Sequence, residues 1–131
     1  MENEAKRAKR RIIIAFSVLI AVLLIIAAAF CVYRYQHTFS QEKWLADADG
    51  RFRLVDDMLE KHPLTGMSEA DVIALLGAED GGGQTSFKLS DKNYPPETTL
   101  VYRLGVEYID NMWLIISISD GVVTEYLIDV T

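Results

Sequence analysis

The feature that most constrains this chain is an uncharged apolar run from Ile12 to Val32. Ser17 is the only conventional polar side chain among its 21 residues. As a helix rising about 1.5 Å per residue, the run is about 31 Å long, which matches the roughly 30 Å hydrocarbon core of a bilayer. A surface helix of a small soluble domain has a polar stripe, and this run has none. The pattern therefore predicts a transmembrane helix over residues 12–33.

Two alternatives to a retained anchor stay open from the residues alone. A cleaved signal peptide has an apolar stretch of about 7–15 residues before small residues at the cleavage site. Alanines stand at 27–29, but the apolar run is longer than that stretch and continues to Val32. Lipidation of Cys31, the only cysteine, needs a small residue directly before it, where the chain has Phe30. We expect an uncleaved anchor and no internal disulfide in the remaining domain.

Charge on the two sides of the run is unequal, and this predicts the orientation. The tail of residues 1–11 has five Lys or Arg and two Glu, whereas Arg34 is the only Lys or Arg between the run and Lys43. The side richer in Lys and Arg stays in the cytoplasm. The sequence predicts a basic cytoplasmic tail over 1–11, a connector over 34–39 and an extracytoplasmic domain over 40–131.

The predicted outer domain is acidic. The net charge of −6 divides into +3 for residues 1–11 and −9 for the rest of the chain. A negative surface of this size repels nucleic acid and anionic lipid headgroups. We therefore expect two kinds of partner, the bilayer through the N-terminal helix and another envelope protein. Neither nucleic acid nor a small-molecule substrate is expected.

Capping signals and apolar spacing predict helices in the first half of the domain. Ser40 is a plausible N-cap, and Phe39 and Trp44 are spaced as a hydrophobic staple. A second helix is expected from about Arg51 to Lys61, with apolar residues at the spacing of one helix face. Those residues are Phe52, Val55, Met58 and Leu59.

A third, short helix is predicted over Glu69–Leu76. Ser68 is its expected N-cap and Gly77 its expected left-handed C-terminal residue. Its predicted buried stripe is Val72, Leu75 and Leu76. The three consecutive glycines that follow, at 81–83, lack the lysine and the helix of a phosphate-binding loop, so a connector is expected there.

The remainder is rich in β-branched residues and turn signals, which predicts strands. The predicted strands are Thr85–Leu89, Thr99–Leu104, Met112–Ser119 and Val122–Val130. Lys92–Pro96 is expected to be a loop because of its two prolines. Helices followed by strands indicate an α+β fold, with two helices packed on an antiparallel sheet of three to four strands.

A two-residue turn at Asp120-Gly121 would set the register of the last hairpin, and side chains then alternate between its two faces. The more aliphatic face is assigned to the core, and it carries Leu114, Ile116, Ile118, Val123 and Leu127. The other face leaves an aromatic-aliphatic patch as the candidate partner surface: Trp113, Ile115, Tyr126 and Ile128. Two alternatives remain. Either the face that carries this patch is the one packed on the helices, or a segment around residues 39–44 folds over the patch.

Neither a catalytic set nor a metal site is evident in the sequence. His37 and His62 have no cysteine or second histidine at metal-ligand spacing. The stretch 47–50 faintly resembles a calcium loop but lacks the glycine at position six and the glutamate at position twelve. We expect a non-catalytic protein without a cofactor.

The run Leu64–Gly77, LTGMSEADVIALLG, resembles the SmpA/OmlA family, which includes the BamE lipoproteins of outer-membrane assembly. The matching residues are Gly66, Met67, Ser68, Val72, Leu75, Leu76 and Gly77. The strand at Leu100–Tyr102 and the hairpin at Ile115–Ile128 extend the resemblance to about residues 52–129. It implies helices on a small antiparallel sheet and a non-catalytic interaction role in the bacterial envelope.

The expected function is therefore that of a membrane-anchored extracytoplasmic interaction or scaffold domain. Two alternatives stand beside it. One is a lipidated component of outer-membrane assembly, and the other is a membrane-tethered enzyme or enzyme inhibitor.

Overall fold

A computed structural model of the chain describes residues 1–80, 87–89 and 92–130. The chain divides into two compact units, Met1–Gln36 and His37–Thr131. Within the described residues, the first unit is helical and the second contains all of the strands.

The first unit belongs to one continuous helix, α1, which runs over Glu2–His37. This helix is long and apolar enough to cross a membrane, and none of its residues is buried within the protein. Ser17, the polar residue of the apolar run, donates its hydroxyl to the Ile13 carbonyl at 2.8 Å, so its polar group is satisfied within the helix. The predicted connector at 34–39 is shorter than expected, because no glycine or proline ends the helix before His37.

The second unit is an α+β domain, as the sequence predicts. Its helical elements are α2 (Gln41–Ala46), a 3-10 helix (Ala48–Arg53), α3 (Val55–Lys61) and α4 (Glu69–Leu76). Its strands are β1 (Phe87–Leu89), β2 (Lys92–Tyr94), β3 (Thr99–Glu107), β4 (Asp110–Ser119) and β5 (Val122–Val130). The last three form an antiparallel sheet in the order β3-β4-β5, and β1 and β2 form a separate antiparallel pair.

The N-caps predicted for α2 and α4 are confirmed. The Ser40 hydroxyl oxygen accepts the Lys43 N–H at 3.2 Å, and the Ser68 hydroxyl oxygen accepts the Asp71 N–H at 3.1 Å. Gly77 ends α4 with a φ of +81°, and a side chain there would also meet Leu45 at 2.7 Å. These boundaries were predictable because each depends on residues within one helical turn.

The α-helix predicted over Arg51–Lys61 begins later than expected, and a 3-10 helix precedes it. The chain forms the 3-10 helix first, and α3 starts only at Val55. A 3-10 helix has about three residues per turn rather than 3.6, so the face that turns inward shifts. Phe52, which was predicted to share a helix face with Val55 and Met58, is exposed, although those two residues are buried. Leu54 and Arg51 are buried instead.

The core lies between the helices and one face of the sheet. Trp44 is its central side chain, packed edge-on against Phe39 and Tyr102 with ring centroids 5.9 Å and 6.4 Å away. The indole N–H donates to the Leu76 carbonyl at 3.1 Å, so its polar edge is satisfied inside the core. The sheet contributes the inward-facing residues of β3, β4 and β5: Leu100, Tyr102, Leu104, Leu114, Ile116, Ile118 and Val123.

Two predictions about the strands are corrected. Lys92–Tyr94, expected to lie in a loop, is strand β2, and the prolines follow it directly. The last hairpin does turn at Asp120-Gly121, but its register shifts between Ser117 and Ile118. From Ser117 back to Met112, every β4 residue therefore pairs one position later in β5 than the turn alone predicts. Turn residues give no sign of such a β-bulge. Of the strand predicted over residues 85–89, the structure describes β1 alone, and the glycines at 81–83 lie outside the described residues.

The core assignment of α4 leads to a stability prediction. Leu76 is fully buried, and Ile73 on the same helix is exposed. We expect Leu76→Ala to lower the free energy of unfolding by about 2–5 kcal/mol, because it leaves a cavity in the core. Ile73→Ala, the matched control, should change that free energy by about 0.5 kcal/mol or less. Chemical denaturation followed by tryptophan fluorescence measures both, and equal effects would contradict the assigned core face.

Candidate functional site

Among the described residues, Arg51 is the one charged side chain that is buried. Its Nε donates to the Trp44 carbonyl at 2.8 Å, and its guanidinium carbon lies 5.0 Å from the centre of the Trp44 ring. Its Nη1 donates to the Asp80 carboxylate at 2.8 Å and to the Arg103 carbonyl at 3.3 Å. These contacts join α2, the residues after α4, and β3.

The Asp80 carboxylate and its neighbour, the Glu79 carboxylate, also cover the outer edge of β3. The Asp80 carboxylate accepts the Arg103 N–H at 2.9 Å, and the Glu79 carboxylate accepts the Val101 N–H at 3.0 Å. The Asp80 N–H donates to the Val101 carbonyl at 2.7 Å. Residues 79 and 80 therefore take the place of a neighbouring strand along this part of the edge.

Tyr102 completes this polar cluster. Its hydroxyl donates to the Gly77 carbonyl at 2.8 Å. Burial, and then the negative charges of Glu79 and Asp80, raise the pKa of the Tyr102 phenol above its usual value, so it remains a protonated donor. Every buried side-chain nitrogen or oxygen in the described part of the chain has a hydrogen-bond partner. The cluster is therefore a structural network.

The described residues contain no group of three or more His, Cys, Asp or Glu side chains arranged to hold a metal ion. His62 packs its ring against Phe39, with centroids 5.6 Å apart. It therefore has a packing role at the end of α3.

The candidate surface predicted from the sequence is divided by the observed register. Trp113 pairs with Asp129, and Ile115 pairs with Leu127. Directly opposed residues share a face, so Trp113 and Ile115 lie on one face of the sheet. Tyr126 is opposite Ile116 and Ile128 is opposite Leu114, so both lie on the core-side face.

Burial also separates the four residues of this predicted patch. Ile115 is fully buried, on the sheet face away from the helices, and Trp113 is partly buried. Tyr126 and Ile128 are 39% and 41% exposed. The prediction of one open patch is therefore wrong at the level of geometry. The alternative of a cover formed by residues 39–44 is also wrong, because Phe39 and Trp44 pack in the main core.

An exposed apolar surface that the sequence interpretation missed lies at the turn between β3 and β4. We call it the hairpin tip and define it as residues 106–110. Tyr108 and Ile109 form the two-residue turn and are 95% and 93% exposed, and Val106 is half exposed. Glu107 and Asp110 pair with each other at the base of the turn. An aromatic and a β-branched residue thus project from the domain between two acidic side chains.

The backbone of the hairpin tip is unfavourable for its residues. Tyr108 has a φ of +56°, in the left-handed region that side-chain-bearing residues rarely adopt. The other hairpin places Asp120 and Gly121 in this region, with φ of +53° and +75°. Asp and Gly are the residues that such turns favour, whereas Tyr is not.

The base of the hairpin tip is held firmly against the 3-10 helix. Gly105 has a φ of +143°, and a Cβ there would lie 2.6 Å from the Asp49 carbonyl oxygen. The register of β3 shifts between Arg103 and Gly105, and the Arg103 Nε donates to the Asp49 carboxylate at 2.8 Å. The part of β3 that leads to the hairpin tip is therefore fixed by contacts with the 3-10 helix.

Comparison of the chain with protein-family models, curated proteins and solved structures finds no match.

The polar cluster leads to a second stability prediction. Asp80→Ala removes the carboxylate partner of the Arg51 guanidinium and the acceptor of the Arg103 N–H. We expect it to lower the free energy of unfolding by about 1–3 kcal/mol. Asp49→Ala is the control, because the Asp49 side chain is 69% exposed and its ion pair with Arg103 should contribute about 1 kcal/mol or less. Equal losses in chemical denaturation would show that burial of the arginine is not what makes Asp80 important.

Proposed function

We propose that this protein is a membrane-anchored, non-catalytic interaction domain of the bacterial cell envelope, with its C-terminal unit outside the cytoplasm. The observation that carries the proposal is the hairpin tip, where Tyr108 and Ile109 project almost fully exposed from the domain. It belongs to the same chain as a helix that can span a bilayer.

The side chains of the hairpin tip favour a protein partner. Exposed tyrosine and isoleucine gain free energy when a partner buries them, and aromatic residues are common anchors of protein interfaces. Glu107 and Asp110 flank them and oppose contact with anionic lipid headgroups. The partner surface that fits best is an apolar socket with a basic rim.

The polar cluster supports a non-catalytic role. A catalytic acid, base or nucleophile must be free to contact a substrate. The buried groups around Arg51 and Tyr102 instead bind backbone carbonyls and one another. These bonds hold the helices in place on the sheet.

A relation to the SmpA/OmlA family is part of the proposal. The motif residues that suggested it have structural roles that a family motif would preserve. Gly66 and Gly77 both have positive φ, and Val72 and Leu76 are fully buried. Ser68 caps α4.

The proposed orientation follows from the charge flanking α1. Residues 1–11 carry five Lys or Arg, so we expect the tail to remain in the cytoplasm. A reporter that is active only in the cytoplasm, fused after Thr131, should be silent. Reversal of the charges at Lys9, Arg10 and Arg11 should restore part of its activity. Strong activity in the unaltered fusion would reverse the orientation.

The interaction role can be tested at the hairpin tip. A photo-crosslinking amino acid at position 109 should form a product with a specific envelope protein in living cells, because Ile109 is the apolar end of the tip. Position 120 is the matched control, since Asp120 is also an exposed turn residue. Tyr108→Asn should remove the product at 109. Products of equal amount at 109 and 120, or products with lipid alone, would contradict the proposal.

The same variant distinguishes binding from folding. A left-handed conformation costs most residues about 1–2 kcal/mol, and asparagine tolerates it better than tyrosine. Tyr108→Asn should therefore leave the melting temperature unchanged or raise it while crosslinking is lost. A fall in both would assign Tyr108 a structural role instead.

A further inference from the structure

The two outer edges of the sheet differ in how much of their backbone is covered by other segments. The edge of β3 is covered by Glu79 and Asp80, as described above. The beginning of β5 is also covered, by residues 66–69. The Gly66 N–H donates to the Val123 carbonyl at 2.9 Å, and the Val123 N–H donates to the Met67 carbonyl at 2.8 Å.

The rest of β5 forms an open edge, which we define as Thr124–Val130. The β5 strand is the last strand of the sheet, and no described residue outside β4 and β5 makes a backbone hydrogen bond to this segment. Two side-chain hydrogen bonds lie in this segment: the Val130 N–H donates to the Asp129 carboxylate at 2.8 Å, and the Thr124 hydroxyl donates to the Ser117 carbonyl of β4 at 3.3 Å. Thr124, Glu125, Tyr126 and Ile128 are exposed. An exposed strand edge is a template for pairing with another chain.

The side chains of the open edge differ between its two faces. Tyr126 and Ile128 lie on the core-side face, where each is about 40% exposed. Glu125 and Asp129 lie on the other face, on either side of the partly buried Leu127. One face is therefore apolar and the other is acidic.

We propose that the open edge of β5 accepts an extended segment of another protein in which apolar and basic residues alternate. The segment adds a fourth strand to the sheet, and its backbone pairs with the outer groups of Thr124–Val130. Its apolar residues cover Tyr126 and Ile128, and its Lys or Arg residues lie opposite Glu125 and Asp129. Main-chain hydrogen bonds provide affinity, and the alternation selects the sequence.

Charge makes a second copy of this chain a poorer occupant of the open edge. In a two-fold antiparallel pair of β5 strands, the Glu125 and Asp129 side chains of both copies lie on one face. A pair centred on Leu127 places Glu125 directly opposite Asp129, and like charges directly opposite each other are destabilising. Residues 12–131 carry a net charge of −9, which adds to the repulsion. A basic segment avoids both the repulsion between opposed carboxylates and the repulsion between two acidic domains.

This inference goes beyond the proposed hairpin-tip site and does not depend on it. The two surfaces lie at the same end of the sheet, because Val130 pairs with Met112, four residues after Tyr108. One partner could therefore contact both. The open edge is argued from backbone pairing, however, and the tip from exposed side chains, so variants separate them.

The test uses the full chain in nanodiscs of zwitterionic lipid and the end-blocked peptide Lys-Val-Lys-Val-Lys-Val-Lys at physiological ionic strength. We expect fluorescence anisotropy to detect binding of this peptide. We expect hydrogen exchange to slow at the amides of Tyr126–Val130, which charge attraction alone would not cause. The control peptide Lys-Lys-Lys-Lys-Val-Val-Val has the same composition without the alternation and should bind at least about tenfold more weakly.

Reversal of one charge on the open edge should weaken binding of one peptide and strengthen binding of another. Glu125→Lys should weaken binding of the alternating lysine peptide and strengthen binding of Glu-Val-Glu-Val-Glu-Val-Glu. Tyr108→Asn should leave both affinities unchanged, which separates this site from the hairpin tip. Three results would overturn the proposal: equal binding of the block-ordered peptide, slowed exchange only outside β5, or self-association of the chain through β5 with no peptide binding.

Discussion

The buried guanidinium of Arg51 is the contact on which the arrangement of this domain depends. It is bonded to a carbonyl of α2, to the Asp80 carboxylate after α4, and to a carbonyl of β3, while it stacks on Trp44. A buried ion pair adds little net stability, because desolvation of the two charges offsets most of their attraction. Its several directed bonds instead restrict how the helices can sit on the sheet. We interpret Arg51 as a residue that selects one packing arrangement.

This network has a consequence for the exposed edges of the sheet. The carboxylate that neutralises Arg51 also accepts a backbone N–H of β3, so the contact that fixes the helices also closes one edge. Beside Thr124–Val130, the described part of the chain offers one such contact, the Asp129 carboxylate that accepts the Val130 N–H at 2.8 Å. Proteins usually blunt an exposed edge with charged side chains, proline, a β-bulge or a covering segment. In the described residues the end of β5 has no proline and no covering segment after its bulge, and its charged side chains are the acidic Glu125 and Asp129. A basic strand would neutralise these charges, so the asymmetry between the two edges supports the proposed binding role.

The features that sequence analysis predicted correctly are local. Caps such as Ser40 and Ser68 depend on residues within one turn, and the hairpin turn at Asp120-Gly121 follows from a two-residue signal. The burial of Arg51 was not predictable, because its partners Asp80 and Arg103 are distant in sequence. The candidate patch failed for a related reason. One extra residue at the β-bulge near Ser117 moved Tyr126 and Ile128 to the other face from Trp113, and alternation cannot detect such an insertion.

The hairpin tip was missed because sequence analysis finds turns by the residues that favour them. Asp120-Gly121 satisfies that rule, whereas Tyr108-Ile109 breaks it. Breaks of a local rule tend to mark functional sites, where another gain outweighs the local cost. The left-handed tyrosine costs about 1–2 kcal/mol in the free protein. Burial of an exposed isoleucine or aromatic side chain gains about 1.5–3 kcal/mol, so a partner that covers both residues more than offsets the strain. Binding by such a partner, as proposed above, would therefore account for a turn that retains residues its backbone disfavours.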